Sequence, residues 1–158
     1  SALVVCGRPG NLFKPPRDYA WIGDDHDTGA NTDASWWRPI PYPGYRCLST
    51  VFAPYHGKPH PHSIMCVKEN LTTKAKSGKM IYADRASGGS HDLMIFEVVP
   101  DDNFPGLNIG ATYALSHYVH GSPPRLPSKN KVFTLKANTL PLTYPNFTEE
   151  EIRALDSA

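Results

Sequence analysis

The sequence has few cysteines, almost no net charge and no long apolar run. Its 158 residues include 16 Lys and Arg against 15 Asp and Glu, a net charge of +1 at pH 7. A chain this close to neutral lacks the positive electrostatic potential that attracts a phosphate backbone, so we do not expect nucleic acid as a partner. No apolar run approaches the roughly 20 residues that cross a bilayer, so we predict no transmembrane segment and a soluble domain.

The three cysteines, Cys6, Cys47 and Cys66, are too few for a disulfide scaffold. Cys47 and Cys66 lie in two predicted strands that neighbouring positions in a sheet can bring together. Two small buried thiols in a reducing compartment explain them equally well. The sequence therefore leaves the bonding of this pair open.

Complete catalytic signatures are also missing. The sequence contains no nucleophile elbow, no local cysteine-protease signature and no HExxH motif. Distant Ser, His and Asp residues can always be combined on paper, so a hydrolase is only the third function hypothesis. The sequence does not favour an enzyme.

Turn-forming residues are abundant, with 16 prolines and 12 glycines beside 40% hydrophobic residues. This composition indicates many turns and few long helices, which is typical of an all-β domain. Residues rich in β-formers predict strands at 19–22, 36–40, 44–52, 63–68, 80–83, 93–99, 107–115 and 131–136, with further short strands at 2–6 and 140–144. A basic, flexible connection is predicted at 74–78, and a capping box at 148–151 predicts a short C-terminal helix.

An Asp/Gly segment occurs twice, 59 residues apart. The identical positions are Asp25, Gly29, Asp33 and Pro41 in the first copy and Asp84, Gly88, Asp92 and Pro100 in the second. We predict one domain over residues 1–158, with internal repeats at about 20–78 and 79–136 and a closing sheet formed by the two chain ends. Three antiparallel sheets of this kind make a β-prism; a two-sheet β-sandwich is the alternative.

The motifs around the first copy match a known pattern. They are DTGA at 27–30, DASWWRPI at 33–40, PGYRCL at 43–48 and CV at 66–67. Over about residues 21–100 the chain resembles the fungal and plant vacuolar protein sorting sixty-two family. The resemblance implies a prism-like all-β module, found alone or appended to pore-forming proteins, and it implies no agreed activity.

Both Asp/Gly loops contain a G-x-x-x-D pattern that resembles the sugar-binding loop of β-prism lectins. A carboxylate accepts hydrogen bonds from sugar hydroxyls, glycine allows close backbone approach, and an aromatic ring stacks on the sugar. The predicted ligand-binding residues are Gly29, Ala30, Asp33, Trp36, Trp37, Gly88, Gly89 and Asp92. The leading hypothesis is thus a non-catalytic, lectin-like module that binds a glycan or another polar surface group.

A purely structural explanation of the same loops remains open. Asp33 and Asp92 can cap their own turns and brace the fold. The chain would then be a structural or membrane-targeting domain related to pore-forming proteins, with peripheral membrane contact.

Two metal sites are also considered. Asp25, Asp27 and Asp33 can supply carboxylate oxygens to Ca²⁺ around the Gly29 turn. The histidines His56, His60 and His62 raise the question of a transition metal, although the prolines between them favour a solvated, polyproline-like loop.

Overall fold

The computed structural model describes residues 12–25, 31–83, 92–117, 127–128 and 130–137. The all-β prediction is confirmed, because these residues form short and long strands and a single 3₁₀ turn, Glu69–Leu71. The strands are β1 Phe13–Lys14, β2 Asp18–Asp24, β3 Ser35–Ile40, β4 Tyr45–Arg46, β5 Val51–Ala53, β6 Cys66–Lys68, β7 Thr72–Ala83, β8 Asp92–Pro100, β9 Thr112–His117 and β10 Phe133–Leu135. The predicted C-terminal helix and the strands predicted at 2–6 and 140–144 lie outside the described residues.

The strands form three antiparallel sheets. The first sheet has the order β2-β3-β5, the second β10-β7-β8-β9 and the third β1-β6-β4. Because side chains alternate across a strand, each strand of the first sheet contributes to two different packing surfaces. Assignment to the β-prism class, the limits of the repeats and the closing sheet stay predictions.

The core divides between those surfaces. One cluster covers a face of the first sheet and is formed by Tyr19, Trp37, Val51 and Ala53, with Ile64 packed against it. A second cluster joins the first and second sheets through Ile22, Leu93 and Ala114, with Trp36 and Ile95 at its border. The two adjacent tryptophans of β3 therefore point into different parts of the core.

The strand predicted at 44–52 is divided in the structure. Its first part, β4, belongs to the third sheet, and its last part, β5, belongs to the first. Cys47, which follows β4, forms a disulfide with Cys66 at the start of β6. The disulfide ties the chain to the third sheet at the point where it leaves for the first, and it resolves the question of the two cysteines.

The prediction of a flexible connection at 74–78 is wrong. These residues lie inside β7, whose first residues pair with β10 and whose remainder pairs with β8. Pairing on both sides fixes a segment whose lysines and glycine had indicated a loop. Close packing explains Gly78, because a Cβ there would lie 2.8 Å from Val99 Cγ1.

Two hairpins carry the two Asp/Gly loops. In the β2–β3 hairpin Trp21 pairs with Trp37 and Asp24 with Ser35, with a register shift between Trp21 and Gly23. In the β7–β8 hairpin the residues 59 positions later pair in the same way: Met80 with Phe96 and Ala83 with Met94, with a shift between Met80 and Tyr82. The hairpins thus share register and bulge position next to their loops, whereas farther from the loop the β7–β8 hairpin has a second register shift, between Ser77 and Met80.

No helix in the described part of the chain is both long and apolar enough to cross a membrane.

Candidate functional site

The ends of the first Asp/Gly loop are closed by Asp25. Its backbone N–H donates to the carbonyl of Ala34 at 3.1 Å, and its carboxylate Oδ1 accepts the N–H of Ala34 at 2.9 Å. An Asp that accepts a backbone N–H in this way replaces a missing ladder bond at the loop. Asp25 therefore braces the loop, a role that the sequence had suggested for Asp33.

His56 joins this loop from a segment 31 residues away. Its Nε2 lies 2.9 Å from Asp25 Oδ1 and 3.7 Å from Asp33 Oδ1. The Asp25 side chain is 15% exposed, whereas that of Asp33 is 66% exposed. The two carboxylates thus lie at one imidazole, but Asp33 alone faces mostly solvent.

These contacts change the acid–base properties of the pair. The hydrogen bond with Asp25 raises the pKa of His56, and the nearby charge of Asp33 raises it further. Burial raises the pKa of Asp25, but its hydrogen bonds with Ala34 and His56 outweigh burial, so the pKa is lowered overall. The imidazole is thereby favoured in its charged form and the carboxylate in its ionised form.

A short polar chain holds the His56 segment against the sheet. Trp37 Nε1 donates to Ser35 Oγ at 2.8 Å, and Ser35 Oγ donates to the backbone carbonyl of Tyr55. Ser35 is fully buried and Trp37 is 8% exposed. Because Ser35 and Trp37 are two positions apart on one strand, they lie on the same face and form this chain together.

The predicted stacking role of Trp37 is not supported by its position. The ring belongs to the core cluster under the first sheet and presents no open face to solvent. Trp36 is half-buried and meets the Phe52 ring edge-on, with 5.7 Å between the ring centres. Exposed aromatic surface near this loop comes instead from Tyr55, which is 42% exposed and was not predicted.

Several predicted site residues lie outside the described residues: Asp27, Gly29, Ala30, Gly88 and Gly89. Asp92 is the first residue of β8 and pairs with His117 in β9. The structure therefore brings Asp33 together with Asp25 and His56, while the second loop stays a prediction.

The described residues give little support to either predicted metal site. Within the described ranges, no group of three or more His, Cys, Asp or Glu side chains could hold a metal ion. The Ca²⁺ site of Asp25, Asp27 and Asp33 stays a prediction, since Asp27 lies outside those ranges. His60 and His62 are neighbours, with 5.6 Å between ring centres, but His56 is at the Asp/Gly loop instead.

The importance of His56 was hard to read from the sequence. It lies in a proline- and histidine-rich stretch that appeared to be one unit. Its partner Asp25 is in another strand connection, and the pairing of β3 with β5 and the Ser35–Tyr55 hydrogen bond bring the two segments together. Chemically, the assembled loop offers one exposed carboxylate beside an imidazole and a tyrosine, which suits hydrogen bonding to hydroxyl groups.

A family model described as vacuolar protein sorting-associated protein 62 matches residues 4–155 of the chain. Among curated proteins, no significant match to the sequence was found.

The fold is similar to the crystal structure of GNIP1Aa from Chromobacterium piscinae, with a TM-score of 0.64 and 17% sequence identity. The similarity covers 92% of this chain and 27% of that chain. This chain therefore spans about a quarter of the GNIP1Aa chain, and at this identity the similarity shows the fold alone.

Proposed function

The chain belongs to the vacuolar protein sorting-associated protein 62 family over nearly its whole length, and from this premise we propose that it is a non-catalytic binding module for glycans. Recognition takes place at the first Asp/Gly loop, with Asp33 as the central acceptor. The supporting observation is that the two carboxylates differ in their contacts. Asp25 accepts a hydrogen bond from the loop backbone, whereas the nearby Asp33 side chain is 66% exposed.

The chemistry of the loop favours a hydroxyl-rich ligand. An ionised carboxylate accepts two hydroxyl hydrogens in charge-assisted bonds, which are about twice as strong as neutral ones. Tyr55 provides exposed aromatic surface on the segment that carries His56. His56 offsets part of the negative charge of the loop, and we take a neutral sugar as the ligand.

A glycan array with the purified chain tests the proposal. We expect Asp33→Ala to weaken binding by about tenfold or more, because hydrogen bonds to a charged group contribute about 1.5–3 kcal/mol. Asp33→Asn keeps the shape and removes the charge, so it separates the two contributions. Asp92→Ala tests the second loop in the same assay.

The matched control is Asp102→Ala, which removes another carboxylate that is 90% exposed and pairs with Lys76 far along the chain from the loop. This variant should bind as the wild type does. Absence of binding to every sugar, or binding that neither Asp33→Ala nor Asp92→Ala changes, would refute the proposal.

A second candidate function is peripheral membrane contact. Beside the second loop, at the end of β7, Met80 is 36% and Ile81 is 55% exposed. Apolar side chains at such a position favour insertion at a lipid surface. The corresponding residue of Ile81 in the first hairpin, Ile22, is 7% exposed and belongs to the core.

Co-sedimentation with liposomes that lack glycolipid, with and without Ca²⁺, distinguishes the two functions. A membrane-targeting domain sediments with the vesicles, and Ile81→Ser reduces the bound fraction. Met65→Ser is the matched control, because Met65 is 45% exposed in another part of the chain. A glycan-binding module stays in the supernatant.

A further inference from the structure

A cavity of about 390 Å³ lies where the first and second sheets meet the disulfide-linked segment after β4. Its volume is within the usual range of small-molecule pockets. The accessible apolar part of its wall includes Leu48 and Phe133, and the polar part includes Arg38, Asn130 and Lys131. None of the described residues of the Asp/Gly loop contributes to the wall of this cavity.

Arg38 is the unusual residue of this wall. Its Nη2 donates to the carbonyl of Ala114, and its guanidinium lies over the Tyr113 ring, 3.9 Å from the ring centre. Among the described residues, no carboxylate pairs with it. Burial lowers the pKa of Arg38, which nevertheless remains protonated because a guanidinium does not titrate near neutral pH.

A partly buried cation without an anion is costly, because the desolvation of a charge is compensated only by pairing and hydrogen bonding. The Tyr113 face and one carbonyl compensate for part of that cost. A guanidinium has five N–H donors, so several remain for a ligand after the bond to Ala114.

Lys131 adds a second positive charge to the same wall. It is exposed, and in the part of the chain that the structure describes no acidic side chain pairs with it. Ser49 is a less suitable ligand contact, because its hydroxyl already donates to the carbonyl of Thr50 and accepts the N–H of Thr112. The charged groups of the cavity are therefore both cationic.

We propose that this cavity binds an amphipathic organic anion, whose carboxylate or sulfonate lies between Arg38 and Lys131 and whose apolar part packs on Leu48 and Phe133. The apolar wall distinguishes this ligand class from inorganic phosphate, which would leave that surface uncovered. The two cations distinguish it from a neutral apolar ligand.

Fluorescence titration with 8-anilinonaphthalene-1-sulfonate tests the proposal, with hexanoate as a competitor. We expect saturable binding that hexanoate displaces. Lys131→Met should weaken the affinity by about fivefold, the effect of one exposed charge pair. Since Lys131 is exposed, this variant should fold normally, which near-ultraviolet circular dichroism verifies.

Arg38→Met should cause a larger loss, and Arg38→Lys should restore part of the affinity. Lys79→Met, which removes an exposed lysine outside the cavity, should bind as the wild type does. The neutral N-phenyl-1-naphthylamine should bind the wild type and Lys131→Met equally. If Lys131→Met binds the sulfonate with wild-type affinity, or if hexanoate fails to compete, the proposal is wrong.

Discussion

Next to their loops the β2–β3 and β7–β8 hairpins have the same register and the same bulge, but they are stabilised by different interactions. In the first, Ser35 and Trp37 form a hydrogen-bonded chain to Tyr55. In the second, the corresponding residues are Met94 and Phe96, which are 3% and 2% exposed and have no strong donor. Two hairpins with the same backbone pairing therefore need not carry the same polar side chains.

The largest effect should come from removing the disulfide, because the segment that it closes contains β5, the strand paired with β3 of the first hairpin. The disulfide closes a segment with a sequence separation of 19 residues, which contains β5 and His56. A Cys47→Ser, Cys66→Ser double variant should lose about 3 kcal/mol in the free energy of unfolding. Urea denaturation measures this loss, and hydrogen exchange should increase more in β3 than in β8.

Cys6→Ser leaves the disulfide intact and is the control for loss of a cysteine. An equal increase of exchange in both hairpins would show that the disulfide supports the whole domain and does not distinguish the two hairpins.

The next largest effect compares the stability contributed by a hydrogen-bonded side chain with that of an apolar side chain at the equivalent position of the two hairpins. Ser35→Ala should cost about 2 kcal/mol, because it leaves the Trp37 N–H and the Tyr55 carbonyl without their buried partner. At the equivalent position, Met94→Leu nearly conserves volume and should cost about 1 kcal/mol. Thermal or urea unfolding of both variants measures the difference. A Ser35→Ala variant as stable as the wild type would contradict the importance of the hydrogen-bonded chain.

Replacing a glycine by alanine should lower the stability more in the second hairpin than in the first. Gly78→Ala in β7 should cost about 1.5 kcal/mol, because the new Cβ would lie 2.8 Å from Val99 Cγ1. Gly23→Ala in β2 should be tolerated, because its Cβ would lie 3.6 Å from Leu93 Cδ1, an ordinary contact. Equal unfolding midpoints for the two variants would show that β8 yields more easily than the packing indicates.

The smallest effect is the pH dependence of the first loop. The pKa of His56 is raised in the folded chain, so the stabilisation is complete below the unfolded value of about 6.5 and is lost as pH rises through the folded pKa. The pKa of Asp25 is lowered, so its contribution is present above about pH 4 and is lost in acid. The pair is therefore fully formed between about pH 4 and 6.5.

NMR titration measures this prediction. The amide signal of Ala34 should shift as His56 titrates, whereas amide signals in β8 should not. His56→Gln should abolish the shift, and His62→Gln should leave it unchanged. A shift that persists in His56→Gln would assign the pH dependence to another group.

Local patterns predicted the strands that the fold keeps intact. The β-forming runs at 19–22, 36–40 and 93–99 lie within β2, β3 and β8. The run at 44–52 failed because its division depends on a partner elsewhere: Thr50 donates to Thr112, 62 residues later, while Cys47 bonds to Cys66. Such long-range contacts leave no periodic signal in the segment itself.

The candidate site was predictable to a similar degree. The repeated pattern led to Asp33, and the structure shows that its side chain is largely exposed, whereas its role in binding hydroxyl groups stays a prediction. The position of Trp37 did not follow, because alternation separates Trp36 from Trp37 without indicating which face is more deeply buried. His56 was missed because its partners come from strand pairing rather than from sequence proximity.

Because the two hairpins share their register next to the loops, the loop of one hairpin can be grafted onto the other. Asp24 pairs with Ser35 as Ala83 pairs with Met94, so the two connections begin and end at equivalent rungs of their ladders. A connection can therefore be transplanted from one hairpin to the other without inserting or deleting a residue. Protein engineers could use one hairpin to display a new loop and keep the other as an internal reference.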